Sequence, residues 1–352
     1  MAKRDTMCCL PFMAVDQKQG RRSPCCQTAS QHWGSFSTIE EYWHSEPLAQ
    51  LRQQMINHQR AAECVHCWRA EDAGQISMRQ AVNQSRFHMI SFDQPRIRQV
   101  KLNTGNTCNI SCMMCFDSVS SSYEKLWSTD TTWIMPDNKL KKLSYDHQMQ
   151  DYILEHAGDI EVIEVLGGEP LFNKQFIQLA ESLAASGAAK HMTMIIITNG
   201  TLLTQRLIDL FQKFKKTVFA VSVDGVGPVN DYQRWPSRFV EIAENLVKIN
   251  HHFDLSLLPT VTAVNIIGLG DLYEYALSKN YMINNVEPVQ HWPQLNPANL
   301  PDRLKQLVDS KFNYLMQGSA DTDGLLRFVS LWDQQRNIHI QDYMSEWTNI
   351  IN

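Results

Sequence analysis

Residues 108–115 read Cys-Asn-Ile-Ser-Cys-Met-Met-Cys and set Cys108, Cys112 and Cys115 in a C-x₃-C-x₂-C spacing. They follow an alternating run, Arg96-Ile97-Arg98-Gln99-Val100-Lys101-Leu102, which predicts a half-buried strand. Three thiols at a strand end are too many for one disulfide and too few for a closed zinc site. An iron–sulfur cluster of four irons normally takes four cysteines, so three would leave one iron with an open position. The competing readings are three buried cysteines, or part of a zinc site with a distant fourth ligand.

The other cysteines sharpen this. All nine lie in the first 115 residues, at 8, 9, 25, 26, 64, 67, 108, 112 and 115. The chain has no run of 18 apolar residues, so no transmembrane helix is expected, and its N-terminus lacks an apolar signal core. A cytoplasmic location is the resulting expectation. In a reducing compartment such clustering favours metal ligation over disulfides, and two metal centres are the economical reading. The charges nearly balance, with 37 acidic and 32 basic residues and a net charge of −5, which argues against a long nucleic acid as partner.

Beyond about residue 95, short apolar runs alternate with amphipathic segments. Strands are expected near 96–103, 160–166, 192–198, 217–223, 255–264 and 282–289. Helices are expected near 119–127, 147–157, 173–186, 204–215, 237–250 and 270–279. Six strand-then-helix units predict an α/β fold with a parallel sheet covered by helices, and six fall short of a closed eight-unit barrel. Residues 128–146 read as an insertion. In the N-terminal stretch, a strand is expected from Cys8, a turn at Gln19-Gly20, a helix from Ile39 to Arg52 with Thr38 as cap, and a polar helix within 75–95. Residues 291–352 read as amphipathic helices without recognisable chemistry.

In parallel α/β folds ligands gather at the C-terminal strand ends. There the sequence places Gly167-Gly168-Glu169-Pro170, Thr198-Asn199-Gly200, Ser222-Val223-Asp224-Gly225 and, further on, Arg234. Glycines allow close backbone approach, and a guanidinium grips a carboxylate through two bonds. Three of these also have a plain reading: a tight turn for the glycine pair, an Asn-Gly turn, and a surface salt bridge for Arg234.

Taken in order, these motifs resemble the signature of the radical S-adenosylmethionine (radical SAM) enzymes. The resemblance implies an open (β/α)6 partial barrel over residues 96–290, with a [4Fe–4S] cluster on Cys108, Cys112 and Cys115 and SAM on its fourth iron. It further implies Gly167, Gly168 and Glu169 at the SAM amino group, and Asn199, Ser222 and Asp224 near the ribose. Arg234 would meet the SAM carboxylate, and Met114 and Phe116 the adenine. Reductive cleavage of SAM would give a 5′-deoxyadenosyl radical, with the electron from an external donor such as flavodoxin or ferredoxin.

Residues 1–95 resemble the auxiliary-cluster (SPASM or twitch) modules of that family, with Cys8, Pro24-Cys25, Cys64-Val65-His66-Cys67 and Glu71-Asp72-Ala73-Gly74. The implied ligands of a second, auxiliary [4Fe–4S] cluster are Cys8, Cys25, Cys64 and Cys67, with structural zinc as the alternative and Cys9 and Cys26 spare or hydrogen donors. Relatives with such modules point to a ribosomally made peptide or protein as substrate. A small molecule or nucleotide is the rival, and a non-catalytic zinc- or cluster-binding interaction protein stands outside both.

Overall fold

The computed structural model describes residues 6–18, 21–29, 33, 36–127, 142–284, 286–289, 291–348 and 350. Its centre is a sheet whose strands are β1 (Ala14–Lys18), β2 (Arg21–Ser23), β3 (Gln99–Asn103), β4 (Val162–Leu166), β5 (Thr193–Thr198), β6 (Lys216–Val221), β7 (Asp254–Leu257) and, beyond the short β8 (Thr260–Val261), β9 (Met282–Ile283). The spatial order is β2-β1-β3-β4-β5-β6-β7-β9. All neighbours are parallel except β1 and β2. A separate parallel pair joins β8 to β10 (Glu287–Pro288).

The expected strand-and-helix alternation is present. Helices Lys174–Ala185, Gln205–Phe211, Phe239–His252 and Leu269–Lys279 follow β4, β5, β6 and β7 in turn. They bury Phe176, Leu179, Phe211, Ile242, Leu246 and Leu272. The facing residues of the sheet are Ile163, Val165, Met194, Ile196, Phe219 and Val221, each fully buried. Period-2 alternation on the strands thus meets period-3.6 stripes on the helices. Side-chain caps mark the starts of several helices: Asp146, Asn173 and Thr204 each accept from a backbone N–H of the first turn.

Several expectations shift at their edges. Leu10–Met13 is a helical turn, with Pro11 in its first positions, and the strand begins at Ala14 instead of Cys8. The expected single helix over 39–52 is two, Ile39–Trp43 and Glu46–Ile56, because Pro47 cannot continue the first and opens the second. Thr38 does cap the first, accepting from Glu41 N at 3.0 Å. β6 stops at Val221, so Ser222 and Asp224 belong to the loop beyond it. The turn expected at Gln19-Gly20, and residues 128–141 of the insertion, lie outside the described residues.

The larger difference concerns the N-terminal segment. β1 pairs in parallel with β3, Ala14 opposite Gln99 and Val15 opposite Val100, so the segment contributes strands to the main sheet. Two buried ion pairs fasten it there. Lys101 on β3 holds Asp16 at 3.1 Å and Glu164 of β4 at 3.0 Å. Arg22 on β2 grips Asp146, the cap of helix His147–Glu155, through two bonds of 2.5 and 2.9 Å.

Candidate functional site

The strand ends are level. Asn103 pairs with Leu166, Thr198 with Val221, and Val221 with Leu257. The segment leaving each strand therefore emerges at one rim, and the sequence-predicted residues lie on those segments.

The loop 104–120 carries the three cysteines. Ser111 N and Met113 N donate to Trp235 O and Gln233 O, at 2.8 and 2.7 Å. Cys108 N donates to Ser121 Oγ, and Ser122 Oγ donates to Cys108 O at 2.6 Å. Trp292 Nε1 donates to Cys115 O at 3.1 Å. Two segments distant in sequence, together with the helical turn that follows the loop, thus fix it. Cys108 and Cys112 are buried and Cys115 is half-buried.

Cys112 interacts with each of the other two thiols. Burial, then Cys112, push the Cys108 thiol up to about 12. The hydrogen bond with Cys115, then burial, hold Cys112 well above its ordinary range. Thiols gathered on one loop, two of them buried, suit a multinuclear cation, whose charge deprotonates its ligands outright. The donor set fits an iron–sulfur cluster with one uncommitted iron. Met114 and Phe116 flank the loop, half-buried, and Phe116 meets His291 edge-on at 5.3 Å.

Gly167 and Gly168 permit a close approach between two segments of the rim. A Cβ on Gly167 (φ +150°) would stand 2.4 Å from Thr104 Oγ1, and one on Gly168 2.4 Å from Thr107 O. The close approach they permit is to the backbone leading into Cys108. Gly168 N donates to Gly105 O at 2.7 Å and Glu169 N to Thr107 O at 2.9 Å.

Glu169 is fully buried. Its carboxylate accepts from Leu171 N (3.0 Å), Thr198 Oγ1 (2.7 Å) and Asn199 N (2.7 Å). Burial raises its pKa and those bonds oppose the rise. Asn199 Nδ2 donates to Asn109 Oδ1 at 2.9 Å, and Asn109 Nδ2 to Thr201 Oγ1 at 2.8 Å, which ties the cysteine loop to the β5 end. Ser222 is half-buried, its N–H bonded to Thr198 O at 2.8 Å.

Asp224 and Arg234 pair with each other, Nε to Oδ2 at 2.7 Å and Nη2 to Oδ1 at 2.9 Å. The remaining nitrogen, Nη1, points at Cys112 Sγ at 3.7 Å. Asp224 Oδ1 also accepts from Thr260 N. Asn265 is fully buried and donates its amide to Asp224 O and Thr260 O.

In the N-terminal segment, one cavity is lined by Cys8, Cys25, Cys64 and Cys67, together with Thr28, Glu63, Met78 and Arg79. Burial, then Cys25, raise Cys8, and burial, Cys25 and Cys67 raise Cys64. Cys25 is pushed up to about 12, mainly by burial. The neighbouring cysteines turn elsewhere: Cys26 Sγ lies 3.8 Å from Met78 Sδ, and the charge felt by Cys9 is that of Arg86. Arg79 braces the wall, bound to Glu71 at 2.6 Å and to Met7 O at 2.8 Å. Among the described residues, no three His, Cys, Asp or Glu side chains converge on a single-ion geometry.

Sequence reasoning named Thr198 only as part of its motif and missed Asn109 and Trp292. Asn109 lies between two of the cysteines and could have been singled out by that position; Trp292 shows no local signal.

Residues 102–274 match the family model described as the Radical SAM superfamily. It is 25% identical over 232 residues to the radical SAM cyclopropyl synthase TigE of Paramaledivibacter caminithermalis, covering 61% of this chain and 46% of that protein. It is 26% identical over 145 residues to the Fe-coproporphyrin III synthase of Methanosarcina barkeri, covering 41% and 31%. The chain thus spans less than half the length of either relative. Among solved structures it is similar to Streptococcus suis SuiB bound to S-adenosylmethionine, with TM-score 0.42, 13% identity, and 78% and 62% of the two chains covered. No described helix is long and apolar enough to cross a membrane.

Proposed function

We propose that this radical SAM domain is the working part of an enzyme that cleaves S-adenosylmethionine reductively and abstracts a hydrogen atom from a peptide or protein. The observation that carries this reading is the convergence of the three-cysteine loop, Glu169, Asn199 and the Asp224–Arg234 pair on one rim. Cys108, Cys112 and Cys115 would hold the [4Fe–4S] cluster. Glu169 is the anion placed for the SAM amino group, and Arg234 Nη1, the guanidinium nitrogen not committed to Asp224, is the donor for its carboxylate. Asn199, Ser222 and Asp224 would border the ribose, and Met114 and Phe116 the adenine. When bound, the cluster and SAM supply the electron transfer and the 5′-deoxyadenosyl radical, with flavodoxin or ferredoxin as the outside reductant. The chain's own part is to orient SAM and to exclude water, which the buried rim does.

We assign a second [4Fe–4S] cluster to Cys8, Cys25, Cys64 and Cys67. The cavity they share supports a four-sulfur metal site, and zinc, which takes four sulfurs at about 2.3 Å, is the alternative. A peptide is preferred because the N-terminal cysteine pattern resembles modules of peptide-modifying relatives. A small-molecule reading keeps a place because one curated relative is named a synthase of Fe-coproporphyrin III.

The test is anaerobic reconstitution, then addition of dithionite and SAM. The protein should bind about eight irons and release 5′-deoxyadenosine. A Cys108/Cys112/Cys115 triple alanine variant should release none. Zinc in place of iron, with SAM intact, would refute the enzyme reading. About four irons with one zinc would refute only the second cluster.

A further inference from the structure

The C-terminal segment, silent in the sequence, delivers a buried cation to the cysteine loop. Arg336 closes helix Thr322–Arg336 and is 7% exposed. None of its three guanidinium nitrogens has a hydrogen-bond partner among the described residues. Its faces are covered instead by indoles, with the guanidinium carbon 3.2 Å from the Trp332 ring centroid and 5.4 Å from that of Trp235. Trp235 O is the acceptor for Ser111 N, inside the cysteine loop. Arg336 therefore sits against the residue that anchors the loop.

The groups acting on its charge are Tyr123, Tyr232, Cys112 and Asp333. Asp333 does not neutralise it by contact, because its two oxygens are taken by Tyr232 Oη at 2.7 Å and Ile340 N at 2.9 Å. The other guanidinium at Cys112, that of Arg234, is cancelled by its bidentate partner Asp224. Arg336 is thus the uncompensated positive charge near Cys112. Burial draws its pKa down only to about 10, so it stays charged at neutral pH.

An unpaired buried charge is costly and persists where something offsets it. Three thiolates around an iron–sulfur cluster make a net negative group, and reduction adds another electron. We propose that Arg336 is a positioning charge that offsets the cysteine-bound cluster and raises its reduction potential, a role resting on the function proposed above. Net charge and burial are established levers on such potentials.

The experiment is an EPR-monitored redox titration of the reconstituted full chain, with iron content measured first. Arg336→Met keeps the length and stacking surface and removes the charge. Its midpoint should move to more negative potential at unchanged iron content, and Arg336→Lys should return it toward the wild-type value. The cluster-free Arg336→Met protein should melt no lower than the wild type, because the change removes an unpaired buried ion. A midpoint equal to that of the wild type at full iron content would overturn the proposal, as would a lowered melting temperature of the cluster-free variant with no shift in potential. Should the methionine variant fail to fold, Arg336→Gln reads the same charge loss. A wild-type chain that takes up no iron on Cys108, Cys112 and Cys115 would instead overturn the function reading, and this one with it.

Discussion

Gly168→Ala is the sharpest perturbation of the rim. The added Cβ would stand 2.4 Å from Thr107 O and 2.7 Å from both Asn106 O and Thr107 C. All three are backbone atoms, so no rotamer change can relieve the clash. Ordinary contact begins near 3.4 Å, so the 106–107 backbone must retreat by about 1 Å. The bonds from Gly168 N to Gly105 O (2.7 Å) and Glu169 N to Thr107 O (2.9 Å) would then lengthen beyond hydrogen-bonding range. Overpacking costs about 1–3 kcal/mol and each of the two lost bonds about 1 kcal/mol, giving roughly 3–5 kcal/mol in all. Cys108 is the next residue after Thr107, and ligand distances tolerate only about 0.2 Å of error. The variant should lose that stability in guanidinium unfolding, and should bind less iron on reconstitution. Gly158→Ala is the control, since nothing lies within 4 Å of its Cβ. A Gly168→Ala protein with wild-type stability and full iron would refute the claim that this contact positions the cysteine loop.

Lys101→Met should cost about 3–5 kcal/mol at neutral pH, because it leaves the buried Asp16 without its cation. In that variant the Asp16 carboxyl, which burial already raises, would titrate higher in the folded than in the unfolded chain. Its contribution is then favourable below the ordinary carboxylate range and lost as pH rises through the raised value, so unfolding at about pH 4 and about pH 8 should show the larger deficit at the higher pH. Alanine at Cys8, Cys25, Cys64 or Cys67 should drop reconstituted iron from about eight to about four, whereas Cys9→Ala and Cys26→Ala should leave it unchanged. Trp292→Phe removes the donor to Cys115 O and should cost about 0.5–1.5 kcal/mol in urea unfolding, with the Cys115 carbonyl left unpaired.

The sheet and its rim were legible because they are written locally. Alternation marks β3 to β7, and Gly-Gly-Glu, Thr-Asn-Gly and Ser-Val-Asp-Gly come after three of those strands in turn. Which partner each rim residue takes was not legible. Asp224 and Arg234 stand ten residues apart and could each have faced a ligand; the loop after β6 folds them onto one another. Gly168 invites a ligand on paper, yet the space its missing side chain leaves is filled by Thr107, 61 residues earlier. Arg336 and Trp292 act across still greater separations. No pattern at their own positions distinguishes them from ordinary surface and core residues.

The parallel pairing of β1 with β3 also constrains how the chain is made. Ala14 and Gln99 are partners 85 residues apart, so β1 has no parallel neighbour until about 85 further residues are free of the ribosome. At about 5–20 residues per second that interval is roughly 4–17 s. Throughout it β1 presents an unsatisfied edge, open to pairing with other chains. That edge closes only when the strand that leads into the cysteine loop arrives.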